Sequence, residues 1–378
     1  MKFVLAPDSF KESMSARTAA LAMEKGIRKV FSNAECLIVP MADGGEGTVE
    51  SLVSANEGEI IKLEVTGPLG NKVIAEYGLL GDGKTAVIEM ASASGLHLIS
   101  KEKRNPLITS TYGTGELIKH AIERGVDRII LGIGGSATND GGVGMLQALG
   151  VSFKDKEGKE LQRGGGVLNQ LATIDLTGLD ERIKKVKIDV ACDVNNPLTG
   201  KFGASRIFGP QKGATPEMVK QLDENLAHYA KIVKQVIGKD ISQIEGSGAA
   251  GGLGAGLIAF LNAELKKGID LVIELTSLES KIADADYVFT GEGSIDGQTL
   301  FGKTLYGIAS IAKKYSIPVF AFTGKVGEGI EPLYENGFTS IISILKGVTS
   351  LEEALCSGEE NLAFAVENVC RVLQLNRM

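Results

Sequence analysis

The sequence is poor in the features that define disulfide-rich, zinc-binding, membrane and nucleic-acid-binding proteins. Its 378 residues include four cysteines and three histidines. All are isolated in sequence, which argues against disulfides and zinc sites and favours a reducing cytoplasm. No apolar run is long enough for a membrane span, and the first one is too short for a signal peptide. The net charge is −7 with both signs interspersed, so no basic stripe is available for nucleic acid.

Glycine, by contrast, is abundant, with 49 residues, many of them in loops that follow apolar runs. A chain of this length suggests two domains. Its opening alternates predicted strands (2–6 and 36–40) with predicted helices (15–31 and 47–56), which indicates a parallel sheet.

Three β-rich runs then follow, over 60–66, 71–80 and 85–90, and the turns between them predict an antiparallel meander. The alternation of strand and helix returns from about residue 285. We therefore predict an α/β protein of two α/β domains. One is a Rossmann-like, doubly wound, discontinuous domain of residues 1–80 plus 285–378, and the other is an inserted mixed-sheet α/β domain of residues 81–284.

Residues Gly297–Thr304 match the phosphate-loop pattern G-x-x-x-x-G-K-[ST]. In that motif the backbone amides cradle phosphates and the lysine neutralises their charge. The motif requires a strand directly before its first glycine, whereas the predicted strand 286–290 ends six residues earlier. The pattern therefore indicates phosphate chemistry without a phosphate-loop fold, and a solvated glycine turn is the structural alternative.

A second nucleotide pattern, G-x-G-x-x-A, covers residues 132–137, and Asp155 stands where a ribose-binding acid is expected. It is the best argument for a dinucleotide. The polar residues that crowd this turn speak against that interpretation, because a Rossmann turn is mostly small and apolar.

Several further loops place small residues, acids and hydroxyls after a predicted strand. They cover residues 7–13, 42–48, 134–142 and 291–297, and such loops suit phosphates and carboxylates. Asp193 follows the predicted strand 187–192 and is suited to holding magnesium or accepting a hydroxyl proton, with an Asx turn as the alternative. Lys212 lies between glycines at 209 and 213.

Six motifs together resemble one family, the bacterial class I glycerate kinases. In order, they are Asp-Ser-Phe-Lys-Glu-Ser (8–13), Asp-Gly-Gly-Glu-Gly-Thr (43–48), Gly-Gly-Ser-Ala-Thr-Asn-Asp-Gly-Gly (134–142), Cys-Asp-Val-Asn-Asn-Pro-Leu (192–198), Gly-Pro-Gln-Lys-Gly-Ala (209–214) and Gly-Glu-Gly-Ser-Ile-Asp (291–296). The resemblance runs nearly end to end. It implies two α/β domains with the site in the cleft between them, and it makes the match at 297–304 a coincidence.

The resemblance also implies transfer of the ATP γ-phosphoryl group to a hydroxyl of D-glycerate, with O2 favoured over O3 and Mg²⁺ as cofactor. The residues that we assign to this chemistry fall into four groups. They are Asp193, Asp296 and Lys303 for catalysis; Asp8, Ser9, Lys11, Ser136, Thr138 and Asn139 for the substrate; Gly134, Gly135, Lys212, Gly291, Gly293 and Ser294 for the nucleotide phosphates; and Asp43 and Glu46 for the metal.

Two other functions remain as alternatives. An NAD-dependent dehydrogenase of a small hydroxy acid would ignore magnesium, and a non-catalytic sensor of sugar acids would bind an acid without consuming ATP. The sensor has no need of four strand-end acids. The expected partners are therefore small molecules, glycerate and ATP, with neither nucleic acid nor membrane, and the sequence leaves the oligomeric state open.

Overall fold

The chain alternates strands and helices along most of its length in a computed structural model, which describes residues 1–45, 47–300 and 304–375. Its strands, numbered in chain order, are β1 (Lys2–Leu5), β2 (Glu35–Ile38), β3 (Glu59–Thr66), β4 (Lys72–Leu79), β5 (Thr85–Glu89), β6 (Arg128–Gly132), β7 (Ser152–Lys154), β8 (Thr173–Asp175), β9 (Lys187–Ala191), β10 (Glu264–Lys266), β11 (Tyr287–Ile295), β12 (Val319–Val326) and β13 (Ser340–Ser343).

The α-helices vary from single turns to 22 residues. They are α1 (Ala16–Arg28), α2 (Thr48–Ala55), α3 (Ala91–Ser94), α4 (Tyr112–Glu123), α5 (Val143–Ala148), α6 (Ala204–Phe208), α7 (Pro216–Ile237), α8 (Ala249–Phe260), α9 (Gly268–Thr276), α10 (Leu278–Ala283), α11 (Thr304–Lys314), α12 (Glu331–Glu335), α13 (Leu351–Cys356) and α14 (Gly358–Leu375). Short 3₁₀ helices include Pro210–Lys212 and Gly297–Leu300.

Contacts divide the chain into two compact units, and the first comprises residues 1–43, 50–57 and 269–378. Its sheet has the order β13-β12-β11-β1-β2, and every neighbouring pair is parallel. The order reverses between β11 and β1, because the chain adds β2 on one side of β1 and β12 and β13 on the far side of β11. Phe3, Leu5, Phe289 and Phe322 contribute to its core.

The second unit comprises residues 44–49 and 58–268. Its six-stranded sheet has the order β10-β9-β6-β5-β4-β3, in which β3, β4 and β5 pair antiparallel and the remaining strands pair parallel. The meander predicted from the sequence is therefore present. A small antiparallel pair, β7 with β8, was not predicted.

The observed division differs from the boundaries that we placed at residues 80 and 285. Strands β3 and β4 hydrogen-bond to β5, so residues 58–80 belong to the sheet of the second unit. Helices α9 and α10, which we did not predict, group with the first unit. The turn signals near residue 80 mark a hairpin within one sheet.

Strand β11 continues beyond Thr290, where we predicted its end. The register pairs Ser294 with Lys325 and Ile295 with Val326, so backbone pairing with β12 continues to the ends of both strands. A Cβ atom at Gly291 would collide with the carbonyl oxygen of Phe322. The glycines that we interpreted as a loop therefore allow two strands to approach closely.

Local sequence signals explain where the longer helices begin and end. Ser15 caps α1 by accepting a hydrogen bond from the amide of Thr18. Thr215 caps α7 in the same way, Pro216 occupies the first helical position and Gly238 ends the helix with φ 78°. In the described ranges, no helix combines the length and the apolar character that a membrane crossing requires.

The packing of α1 against α14 leads to a first prediction. A Cβ atom at Gly26 of α1 would lie 2.5 Å from the carbonyl oxygen of Ala363 and 2.9 Å from Cβ of Val366. We expect Gly26→Val to lower the thermal unfolding midpoint, since overpacking at a helix crossing costs about 1–3 kcal/mol. The matched control is Gly347→Val, where nothing lies within 4 Å. Equal midpoints for the two variants would contradict this packing.

Candidate active site

The first unit places its polar groups at the carboxyl ends of its parallel strands. Asp8 follows β1, and its amide donates to the carbonyl of Gly291 on β11 over 2.9 Å. These two strands flank the point where the strand order reverses. Open α/β sheets bind ligands at such a point. The sequence therefore brings Asp8 and the Gly291–Gly293 segment to the expected place in this sheet.

The Asp8 carboxylate is the most strongly constrained acid of this group. One oxygen accepts from the amide of Ser9 and the other from the hydroxyl of Thr304, each over 2.6 Å. Burial raises its pKa, the charge of Asp43 raises it further, and these hydrogen bonds together with Lys11 oppose the rise. Asp8, Lys11, Asp43 and Thr304 thus form one electrostatic cluster, which combines two predicted substrate residues with a predicted metal ligand.

The described part of the Gly297–Thr304 match, residues 297–300 and 304, does not have the structure of a phosphate loop. The amide of Gly297 donates to the carbonyl of Glu328 over 2.9 Å, and the amides of Gln298 and Thr299 donate to Asp296 over 2.8 and 3.0 Å. A phosphate loop needs such amides free for phosphate. Asp296 itself is the cap of the 3₁₀ helix. Lys303 and Glu46, two of the predicted site residues, lie outside the described residues.

In the second unit, the turn after β6 presents free backbone donors. Within the described ranges, the amides of Gly134, Gly135 and Ser136 have no protein acceptor. Gly134 and Gly135 are exposed, and Gly135 has φ 70°. Successive amides in such a conformation form a concave site for an anion.

Backbone and side-chain bonds on the other side of this turn hold it in place. The amide of Leu96 donates to the carbonyl of Gly135 over 2.8 Å, and the amide of Ala137 donates to Ser94 over 3.0 Å. The carbonyl of Ala137 accepts from the Thr109 hydroxyl over 2.8 Å. Because these contacts use the carbonyls and the inner amide, the three outer amides stay available.

Three predicted contact residues lie beneath the turn. Thr138 and Asn139 are 0% exposed, and Asn139 donates through Nδ2 to Ser205 Oγ over 2.9 Å. Lys212 is 1% exposed, and its ammonium donates to Ser136 Oγ and to the carbonyl of Thr138, each over 2.7 Å. Burial lowers the pKa of Lys212 to about 7, and Asp140 opposes the shift.

Asp140 organises this buried region, a role that the sequence did not reveal. Its carboxylate is fully buried and accepts from the amides of Thr111, Gly142 and Gly144 over 2.8, 3.2 and 3.3 Å, and from the Thr111 hydroxyl. Burial raises its pKa, and these donors oppose the rise.

Two acids stand at the same edge of the second sheet. Asp193 follows β9 at the position that corresponds to Gly134 after β6, because Gly132 pairs with Ala191 in the ladder. It is exposed, and one oxygen accepts from the amide of Gly268, the first residue of α9, over 3.0 Å. Glu89 ends β5 and accepts from the amide of Val49 over 2.9 Å. We missed Glu89, although its position after an apolar run is the same signal that pointed to Asp193.

The dinucleotide interpretation of residues 132–137 is not supported by the structure. Helix α5 begins only at Val143, six residues after Ala137, so no helix amino terminus faces the turn as a Rossmann fingerprint requires. Asp155 lies in the turn after β7, where its carboxylate accepts from the amides of Glu157 and Lys159. It is a turn residue and not a ribose ligand.

The fold and these sites define an α/β protein that carries carboxylates and free backbone amides at the carboxyl ends of its parallel strands. A sequence model described as the Glycerate kinase family matches residues 3–374. The chain belongs to that family.

Two curated relatives and one crystal structure show how far the similarity extends. A glycerate kinase of Halalkalibacterium halodurans is 54% identical over 99% of this chain and 98% of its own length. A glycerate 2-kinase of Escherichia coli K12 is 51% identical over the same shares. The crystal structure of a candidate glycerate kinase 2 from Salmonella typhimurium LT2 is 49% identical, covers 100% of this chain and 99% of its own, and gives a TM-score of 0.92.

Asp8 and Asp82 provide a test of this electrostatic description. The pKa of Asp8 in the folded protein lies above its ordinary value. Stability therefore falls as the pH rises from the ordinary pKa to the raised one. The pKa of Asp82 is lowered by its bonds from Lys84 and Thr85, although burial opposes this, so its contribution is present at neutral pH and is lost in acid.

We therefore expect opposite effects of Asn substitution on the thermal midpoint at pH 7. Asp8→Asn should raise the midpoint, because it removes a buried charge while the Thr304 hydroxyl can turn to accept from the new amide. Asp82→Asn should lower it. A loss of stability in both variants would contradict the description of Asp8.

Proposed function

We propose that this protein transfers the γ-phosphoryl group of ATP to O2 of D-glycerate and forms 2-phospho-D-glycerate. The observation that carries the proposal is the 51% identity, over 99% of the chain, with a protein named as a glycerate 2-kinase. The geometry is compatible with it, since the acids and free amides lie at the carboxyl ends of strands in both sheets.

Phosphoryl transfer demands little covalent work from the protein. It requires donors and cations around the phosphate oxygens, and a carboxylate that orients the attacking hydroxyl. In the proposal, the amides of Gly134 and Gly135 hold phosphate oxygens, and Gly291, Gly293, Ser294 and Lys303 act on the nucleotide phosphates as well. Asp193 orients the glycerate hydroxyl, and we rank it ahead of Asp296 because it follows the strand beside the Gly134 turn.

The glycerate carboxylate is assigned to Lys11 together with Ser9. Asp8, which we predicted beside them, is assigned to the metal instead, because two carboxylates repel each other. Lys11 provides the charge, and the Ser9 hydroxyl provides a directional donor. Ser136 supplies a further hydroxyl at the β6 turn, whereas the buried Thr138 and Asn139 support the turn from beneath.

Asp8 and Asp43 fit a magnesium ion. Burial is the main cause of the raised pKa of Asp8, and the charge of Asp43 adds to it. The two carboxylates are hard oxygen donors whose charge a divalent cation would neutralise. The described residues contain no cluster of three or more metal-binding side chains. Magnesium commonly uses one or two carboxylates together with substrate phosphates. We therefore assign Asp8, Asp43 and Glu46 to it; when bound, it would neutralise phosphate charge.

The enzyme is placed in the cytoplasm. Support comes from its four cysteines, Cys36, Cys192, Cys356 and Cys370, which all carry free thiols. Burial raises the pKa of Cys36 to about 11 and that of Cys370 to about 12, which makes both unreactive.

A phosphorus NMR time course with ATP, Mg²⁺ and D-glycerate tests the function. We expect the 2-phosphoglycerate resonance to appear as ATP is consumed, and no turnover once a chelator removes the metal. A 3-phosphoglycerate resonance would reverse the proposed orientation of glycerate. Consumption of ATP without a phosphoglycerate product, or no consumption, would refute the proposal.

The role of Asp193 is tested by an Asn variant. Asparagine keeps an oxygen for the amide of Gly268, so Asp193→Asn removes the charge without removing the helix cap. We expect kcat to fall about 10²-fold or more, the usual contribution of a general base. Glu50→Gln, in the first turn of α2, is the control and should retain the normal rate.

Asp296→Asn likewise keeps the cap to Gln298 and separates the two candidate acids. A near-normal rate for Asp193→Asn with a large loss for Asp296→Asn would reassign the role.

A further inference from the structure

Lys212 occupies a position where a lysine is costly. Its side chain is 1% exposed at the end of the short helix Pro210–Lys212, yet it contacts no carboxylate of the residues that the structure describes. Its two acceptors in the described ranges are a serine hydroxyl and a main-chain carbonyl. Both are neutral groups, to which a smaller, uncharged donor would also bond.

The nearest compensating charge is itself fully engaged. Asp140 interacts with Lys212 electrostatically, but its oxygens accept from Thr111, Gly142 and Gly144. Desolvation therefore dominates and lowers the pKa of Lys212 to about 7. A buried lysine without a directly bonded carboxylate lowers the stability of the folded protein. Residues with such perturbed pKa values concentrate at functional sites.

The direction of the Lys212–Ser136 hydrogen bond connects the cation to the turn after β6. The ammonium has only donors, so Ser136 Oγ must accept. The hydroxyl hydrogen of Ser136 is then free to donate elsewhere. Ser136 lies in the same turn as the amides of Gly134 and Gly135, which have no acceptor in the described chain. With the amide of Ser136 itself, which also lacks an acceptor among the described residues, the turn offers four donors to an anion.

We propose that Lys212 is a positioning residue for an anion bound at the Gly134–Ser136 turn. From beneath the turn its ammonium fixes the Ser136 hydroxyl as a donor toward the anion, without touching the anion itself. The proposal rests on the proposed function. The anion is an oxygen-rich group of one substrate, either a phosphate of ATP or the carboxylate of glycerate.

Two single variants test whether Lys212 acts on the anion through Ser136, an arrangement that we call the relay. Lys212→Met keeps the length of the side chain and removes the charge and the donors, and Ser136→Ala removes the hydroxyl that Lys212 orients. We expect each to raise the KM of the same single substrate by about 10- to 100-fold, the effect of losing a charge-assisted hydrogen bond. The KM of the other substrate should stay within about twofold, an expectation that a merely structural role does not share because misfolding affects both.

The double variant separates a relay from direct contact. If Lys212 acts through Ser136, adding Lys212→Met to the Ser136→Ala variant should change the KM little. The KM of the double variant should then equal that of the single variant with the higher KM. If the ammonium touches the anion, the two losses should multiply. Multiplied losses, or an unchanged KM in either single variant, would overturn the proposal.

The matched control is Lys220→Met, the same substitution at an exposed lysine of α7 that faces Glu224 over 4.0 Å. Both KM values should remain at the wild-type level. If Lys212→Met does not fold, Ser136→Ala still decides, since normal KM values in that variant would refute the relay. Which KM rises identifies the source of the anion.

Calorimetry distinguishes failure of this inference from failure of the proposed function. Binding of AMP-PNP with Mg²⁺, and separately of D-glycerate, is measured for the wild type and for Lys212→Met. Weakened binding of one probe supports the relay even if the wild type lacks turnover. Unchanged binding of both probes overturns the relay even if the wild type phosphorylates glycerate.

Discussion

The buried carboxylate of Asp140 is the interaction on which the β6 turn depends. It gathers the amides of Thr111, Gly142 and Gly144 around one charge and so fixes the chain on both sides of the turn. Leaving such donors unpaired in the interior would cost about 1–3 kcal/mol each. Ser94, Leu96 and Thr109 satisfy the inner side of the turn, so the outer amides of Gly134, Gly135 and Ser136 remain available to a ligand.

The two sheets use charge in different ways. In the second unit, Asp140, whose oxygens accept hydrogen bonds, and the buried Lys212 lie beside a turn that is positive and rich in hydrogen-bond donors. In the first unit, burial and, to a smaller extent, the charge of Asp43 raise the pKa of Asp8, so that its own negative charge is unfavourable there. Each arrangement sacrifices some stability of the folded protein, because a buried charge is retained where a neutral group would fold more easily. Donors for phosphate and acids for a cation are the complementary parts that phosphoryl transfer needs.

The sequence was sufficient for the class of fold and for placing several candidate site residues at strand ends. Alternation of strands and helices predicted α/β architecture, and apolar runs followed by small polar residues located Asp8, Asp193 and the Gly134 turn at strand ends. The sequence could not show which groups hydrogen-bond to one another. Nothing in the motif at 134–142 distinguishes Ser136, which accepts from Lys212, from Asn139, which donates to Ser205. Likewise, the glycines after Thr290 signal a loop and a close strand pairing equally well, and only the register with β12 decides.

A crystal structure with AMP-PNP, Mg²⁺ and D-glycerate would test the central claim most directly, namely that the free amides after β6 bind a substrate anion. We expect phosphate or carboxylate oxygens within hydrogen-bonding distance of the amides of Gly134, Gly135 and Ser136, with the Lys212 ammonium still bonded to Ser136 Oγ. Both ligands bound with no anion at these amides, or Lys212 bonded directly to a ligand, would contradict the account.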